Sequence, residues 1–346
     1  MRVLLVSPLG FPINKTTKYA GIELLVYQYA SELAKEHDVL VMARSDSIFP
    51  SNVKVLSYHF RPNEDLFLLS ELHHFQQYQS YFRKVDIIHD FSHQHLASRY
   101  MPNMPTLNIF WHAPSLAQYP KAPYNIIGLS EWACREFHRV YKQKARYQQS
   151  ICVDVNVYKL SDAPRNNRFL CVGRMGEEKG NLNAAKLCRD LNVELDIITA
   201  RGTEALNMPY TDYEKEVMAL ADGEKIKIWW EKDYTTESKI EMMQNHKALL
   251  YITDHPEVTT HKGLEALLCG CPVITSRLGA SPEWIEHGID GYLCATEQEF
   301  TEAIKSIDKL NAAASNERLK QKYSIENVIK EYIPLYESVA SGERWA

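Results

Sequence analysis

The sequence predicts an α/β protein of two doubly wound domains in tandem, and three observations carry that expectation. Short apolar runs alternate with longer stretches whose apolar positions recur at helical spacing. The alternation halts at a polar stretch, SDAPRNN at residues 161–167, and then restarts in the same order. The chain has 346 residues, long for one compact core and comfortable for two.

In the first half, residues 2–7 form a continuous apolar run read as a buried strand, followed by a loop rich in Pro, Gly, Asn, Lys and Thr. A helix is expected from Gly21, because Ile22, Leu25, Val26, Tyr29, Ala30 and Leu33 lie at the spacing that lays one stripe against a sheet. Residues 39–42 read as the second strand, and strand–helix–strand order begins a parallel sheet with crossover helices. Apolar runs at 85–88, 106–110 and 125–129 continue it. In the second half, strands are expected at 169–172, 195–199, 225–229, 248–252, 272–275 and 291–294, with helices at 181–191, 238–245 and 260–268. The expected division is 1–160, 161–325 and a closing helical segment, 326–346. In such sheets ligands collect beyond the carboxyl ends of the strands, so functional residues are sought just after strands.

Composition narrows the function classes. Hydrophobic residues make up 45% and charged residues 24%, ordinary for a globular protein, which excludes disorder and fibrous repeats. A net charge of -5 argues against coating nucleic acid, so no nucleic-acid partner is expected. Seven cysteines, Cys134, Cys152, Cys171, Cys188, Cys269, Cys271 and Cys294, form no C-x-x-C pair and read as buried apolar residues of a reducing compartment, hence a cytoplasmic protein. The opening MRVLLVSPLGF is too brief to span a membrane and lacks a signal-cleavage pattern. Any membrane contact is therefore expected to be peripheral, at the inner face. The basic run Arg135, Arg139, Lys142, Lys144 and Arg146 reads as a solvated helix face, with an anionic lipid surface as the sharper alternative.

The chemistry concentrates in two segments of the second half. In HPEVTTHKGLEALLCGCPVITSRLGASPEW, residues 255–284, Glu257 ends a loop after a strand. After seven intervening residues Glu265 sits in a helix that stops at Gly270, a left-handed cap. A carboxylate at the helix mouth and another about two turns inside can accept hydrogen bonds from two sets of hydroxyls, such as those of a sugar and a ribose. The helix amino terminus beside them is an anion site, and backbone amides near Thr260 can contact phosphate. In CVGRMGEEKG, residues 171–180, a strand end is followed by Arg174 and Lys179. A planar cationic fork and a point charge there can hold a diphosphate and stabilise the charge that grows on it as a leaving group, the task a metal performs elsewhere.

The Glu–seven–Glu spacing, the following ALLCGCPVI, LGASPE and GIDG, and the Gly-Arg, Lys-Gly pair together resemble the donor-site signature of glycosyltransferase family 4. That resemblance implies the GT-B fold, two facing Rossmann-like domains with a cleft between them. It also implies a retaining, metal-independent hexosyltransferase with no cofactor, using a nucleotide diphosphate sugar, by base rate a UDP-sugar, and a saccharide or lipid-linked acceptor in glycan biosynthesis. A catalytically silent nucleotide-sugar-binding protein on the same scaffold is the alternative. Donor-binding residues carried over are Gly21, Arg174, Lys179, Glu257, Thr260 and Glu265; catalytic ones are His112, Arg174, Lys179 and Glu257; no metal ligand is assigned. The family usually has two glycines where Ala20 and Gly21 stand, and Phe-Gly where Thr259 and Thr260 stand; the Gly-rich turn expected after Ile198 reads Thr-Ala-Arg-Gly. His112, in NIFWHAPS, matches a position where the family often places a histidine near the transferring sugar. His89, His93 and His95 fit no common zinc spacing. Trp229 and Trp230 read equally as core aromatics or as a stacking platform for a base.

Overall fold

The computed structural model describes residues 1–14, 21–61, 67–112, 114, 122–200 and 209–346. Ala20, Arg201 and Gly202, and with them parts of the loops at 9–20 and 60–75, lie outside the described residues.

The chain divides into two units, Met1–Cys152 with Ile325–Ala346, and Val153–Ser324. The first contains β1 (Arg2–Val6), α1 (Gly21–Leu33), β2 (Asp38–Arg44), β3 (Val53–Tyr58), α2 (Phe67–Phe82), β4 (Ile87–Asp90), α3 (Leu96–Tyr100), β5 (Thr106–Phe110), β6 (Ile126–Gly128), α4 (Glu131–Tyr141) and β7 (Ala145–Tyr147). The second contains β8 (Phe169–Val172), α5 (Asn181–Asp190), β9 (Leu195–Thr199), α6 (Asp212–Leu220), β10 (Ile226–Trp230), α7 (Thr236–Asn245), β11 (Ala248–Tyr251), α8 (His261–Leu268), β12 (Val273–Ser276), α9 (Ser281–Trp284), β13 (Gly291–Cys294), α10 (Glu297–Ser306) and α11 (Asn316–Tyr323). α12 (Ile325–Ala340) closes the first unit.

Among the described residues each unit is built on one parallel sheet, ordered β3-β2-β1-β4-β5-β6-β7 in the first and β10-β9-β8-β11-β12-β13 in the second. Every named strand pairing is parallel, and the central strands are buried along their length, as sheets covered on both faces require. In each sheet the chain runs outward in one direction from the first strand and then in the other from its neighbour. The switch points therefore lie between β1 and β4, and between β8 and β11.

The division falls at Cys152, ahead of the polar stretch at 161–167. That stretch lies inside the second unit because the chain is already tied there: Val153 N donates to Tyr323 O at 2.9 Å, and Lys239 Nζ donates to the hydroxyl of Tyr158 at 2.8 Å. α1 buries Leu25, Val26, Tyr29, Ala30 and Leu33 as the periodicity predicts, but Glu23 goes in with them and Ile22 is only half-buried. α12 anchors on α1 and β4 through Tyr332 and Tyr336, both fully buried. The Tyr332 hydroxyl lies 2.6 Å from Ser150 Oγ and the Tyr336 hydroxyl 2.7 Å from His89 Nδ1, so each buried polar tip has a partner.

Candidate functional site

At the carboxyl edge of the second sheet, two loops meet across the switch point. β8 ends at Val172 and its loop passes through a 3-10 turn, Glu177–Lys179, into α5. Gly180 makes the junction in the left-handed region at φ 70°, where a Cβ would stand 1.9 Å from Ile252 O, so the glycine is required by both dihedral and space. Buried Asn181 accepts from Gly176 N at 3.3 Å, and Thr253 Oγ1 donates to Glu178 O at 2.8 Å, stitching the loop after β8 to the loop after β11.

This stitching brings Lys179 and Glu257 together, although they are 78 residues apart in the chain. Lys179 Nζ donates to Glu257 Oε1 at 2.6 Å, both side chains being half-buried. Behind Glu257 stands the Leu-Gly-Ala turn: Ala280 N donates to Glu257 O at 2.9 Å, and at Gly279, φ 58°, a Cβ would come within 2.4 Å of that oxygen. The Tyr251 hydroxyl at the end of β11 bonds the Glu257 carboxylate. Arg174, on the same loop as Lys179, is paired with Glu178 one turn on. Burial raises the Glu178 carboxyl and the Arg174 guanidinium more than offsets it, so it lies below its usual range.

α8 starts beside this pair. Thr260 caps it, accepting from Gly263 N at 3.2 Å, and Gly270 follows its end at φ 72°. Its first turn carries no acid and two bases, His261 and Lys262, against the preference of a helix amino terminus. Glu265, one turn further, is buried between Lys239 of α7 and Lys262, each 3.2 Å from Oε2. Burial raises its carboxyl, but Lys239, Lys262 and His261 overcome this and bring it down to about 2. Burial lowers the Lys239 ammonium to about 8 despite Glu265. Burial likewise holds His261 neutral, down to about 4, with its Nε2 buried and lacking a hydrogen-bond partner. One carboxylate–lysine pair thus stands at the switch point and a second is buried at the helix that follows it, groups that can accept hydroxyls and neutralise a diphosphate.

Sequence reasoning missed Lys239, Tyr158 and Lys262 as partners of Glu265; helical spacing links Lys262 to Glu265, but no local pattern points to α7. Trp229 is structural, its Nε1 donating to Asp196 Oδ1 at 2.9 Å. In the first unit, exposed His112 stacks on His93 at 5.4 Å, and Gly21 opens α1. The three histidines considered as a cluster turn to separate partners: His89 to Tyr336, His95 Nε2 to Ile109 O at 2.9 Å, and His93 to His112. In the basic run, Arg139 pairs with Glu136, and Arg146 pairs with Glu343 and lies over the Trp345 ring, while Lys142 caps α4. Among the described residues no helix is long and apolar enough to cross a membrane.

Residues 158–326, nearly the whole second unit, match the family model "Glycosyl transferases group 1". A "Probable sucrose-phosphate synthase" of Thermosipho melanesiensis is 32% identical over 136 residues, 37% of this chain and 31% of that protein. The chain thus spans about a third of the length of that curated relative. Among solved structures, sucrose-phosphate synthase from Thermosynechococcus elongatus superposes with a TM-score of 0.78 at 14% identity, covering 99% of this chain and 100% of that one. Anabaena HepE in complex with UDP superposes with a TM-score of 0.69 at 17% identity, covering 98% and 100%. The two Rossmann-like sheets are those of a GT-B fold.

Proposed function

We propose that this chain is a retaining, metal-independent glycosyltransferase that takes a hexose from a nucleotide diphosphate sugar, foremost a UDP-sugar, and passes it to a saccharide or lipid-linked acceptor. The Lys179–Glu257 pair at the β8/β11 switch point carries the reading. Lys179 and Arg174 supply fixed positive charge where the departing diphosphate accumulates negative charge, which stabilises the transition state more than the bound donor. Glu257 accepts hydroxyls of the sugar. Glu265, kept ionised by its lysines, accepts those of the ribose, and the Thr260-capped end of α8 offers backbone N–H groups to phosphate. No carboxylate is assigned as a covalent nucleophile, so retention is ascribed to front-face attack, with the leaving phosphate helping to deprotonate the acceptor. The bound UDP of the HepE structure supports the choice of nucleotide. His112 is assigned to the transferring sugar by resemblance alone.

Incubation with UDP-, GDP- and ADP-sugars in the presence of chelator tests this. Nucleoside diphosphate release is expected, and Lys179→Ala or Glu257→Gln should lower it roughly a hundredfold. Binding without release under every acceptor would favour the silent binding protein; loss of both binding and turnover with all donors would sink the assignment.

A further inference from the structure

The first unit carries a second polar site that the donor chemistry does not use. Val6 and Asp90 are register partners at the carboxyl ends of β1 and β4, the switch point of that sheet and the place where open α/β sheets take ligands. A cavity of about 20 Å³ lies there, with Ser7, Met42, Glu71, His74, Asp90 and Ser92 in its wall. It has room for one water-sized group.

The polar atoms of this wall are unevenly used. Asp90 is fully buried; Oδ1 takes the N–H and the hydroxyl of Ser92 at 2.9 and 2.6 Å, while Oδ2 is buried without a partner. Glu71, also buried, takes the Gln94 amide on Oε2 at 2.8 Å and leaves Oε1 in the same state. The Ser7 hydroxyl donates to Pro8 O at 3.1 Å. His74 Nε2 lies 2.8 Å from Leu56 O, which can only accept, and burial holds the ring neutral, down to about 4, so its Nδ1 is an acceptor. The wall therefore presents acceptors, and among the described residues neither lysine nor arginine lines it. Glu23 is a further acid nearby, and Arg44, whose charge it feels, is itself paired with Asp46. Proton affinity rises accordingly: burial raises Asp90 to about 7, and burial together with Asp90 and Glu23 raises Glu71 to about 8 despite Gln94.

We propose that this crevice is a recognition subsite for a protonated primary amine, whose ammonium head donates to Asp90 Oδ2 and Glu71 Oε1. An ammonium brings three N–H donors and a positive charge, matching the two orphan oxygens, His74 Nδ1 and the uncompensated acids. A hydroxyl would supply one hydrogen and leave the charge. A hard metal ion needs more oxygen ligands than this largely apolar wall offers. The inference stands on the first unit alone and does not depend on the donor reading.

The test titrates the full chain with methylammonium chloride to roughly 100 mM, because a ligand of so few atoms binds only in the millimolar range. Potassium chloride at equal ionic strength and methanol are the controls, and hydrogen exchange of β1 and β4 is the readout. Saturable protection with methylammonium alone is expected, weakened at least about tenfold by Glu71→Gln and unchanged in Lys179→Ala. Equal protection by potassium or methanol would overturn the amine assignment. So would no saturable response, or an unaltered response in Glu71→Gln. Asp90→Asn, which retains an oxygen for Ser92, is the second variant, and an unaltered response there counts against the site in the same way.

Discussion

In the second unit Glu265 is buried between two lysines and its carboxyl falls to about 2; in the first, Glu71 and Asp90 are buried as deeply, face no lysine among the described residues, and rise to about 8 and 7. Both sets belong to units built on parallel sheets of the same construction, and the acids with raised values line the switch-point crevice of theirs. The contrast shows that burial alone does not decide an acid's state. Desolvation raises all of them; what separates them is whether a neighbouring element delivers a cation. α7 delivers Lys239 to Glu265, whereas α2 and β4 bring Glu71 and Asp90 toward each other.

The largest way to break this comparison is Lys239→Met, which leaves Glu265 buried with one half-exposed lysine. It should destabilise the second unit by about 3–5 kcal/mol, read by urea unfolding with unit-resolved hydrogen exchange; a loss below about 1 kcal/mol would show that the buried pair is not what holds α7 to α8. Glu71→Gln should act with the opposite sign. Removing an uncompensated buried charge is expected to stabilise the first unit by ~1–3 kcal/mol at pH near 8, with little change near pH 5.

Proton linkage sharpens the same contrast in the unaltered protein. Glu23, Glu71 and Asp90 have folded values of about 7, 8 and 7 against usual values of 4.5, 4.5 and 3.8, so the folded first unit holds more protons than the unfolded chain in between. Their stabilisation is full below the usual values and is lost as pH rises through the folded ones. Glu265 runs the other way: its contribution is full above 4.5 and is lost as pH falls toward 2. Exchange protection should therefore decline in β1 and β4 as pH rises from 6.5 through about 8. That window lies above the usual value of His74, His89, His93 and His95, whose lowered values act the opposite way below it. In α7 and α8 protection should decline with falling pH. Parallel profiles in the two units would remove the distinction. The smallest stability effect is expected from Arg174→Ala, within ~0.5 kcal/mol because its pair with Glu178 is exposed, while donor turnover drops; a large stability loss would make Arg174 structural.

Much of the fold was legible because apolar periodicity is local. The strands at Thr106–Phe110, Leu195–Thr199 and Gly291–Cys294 occur where the sequence places them, and the Gly270 cap is left-handed as expected. β3 and β7 were not anticipated, since VKVLSY and ARY are partly exposed edge strands with mixed patterns. α2 escaped because its polar residues, Gln and His among them, blur the apolar stripe. At the site, Glu257 and Lys179 were marked by spacing, but that they bond each other was not. Glu23 was overlooked since an acid in a helix's first turn ordinarily faces water.

The sequence by itself determined two parallel sheets and the loops in which chemistry would collect, because runs and spacings act through the backbone within a few residues. Tertiary structure alone decided which acids meet cations: Lys179 reaches Glu257 across 78 residues and Lys239 reaches Glu265 across 26, while Glu71 meets the like charges of Asp90 and Glu23. Coulomb energy depends on distance and desolvation, and neither exists until the elements have packed.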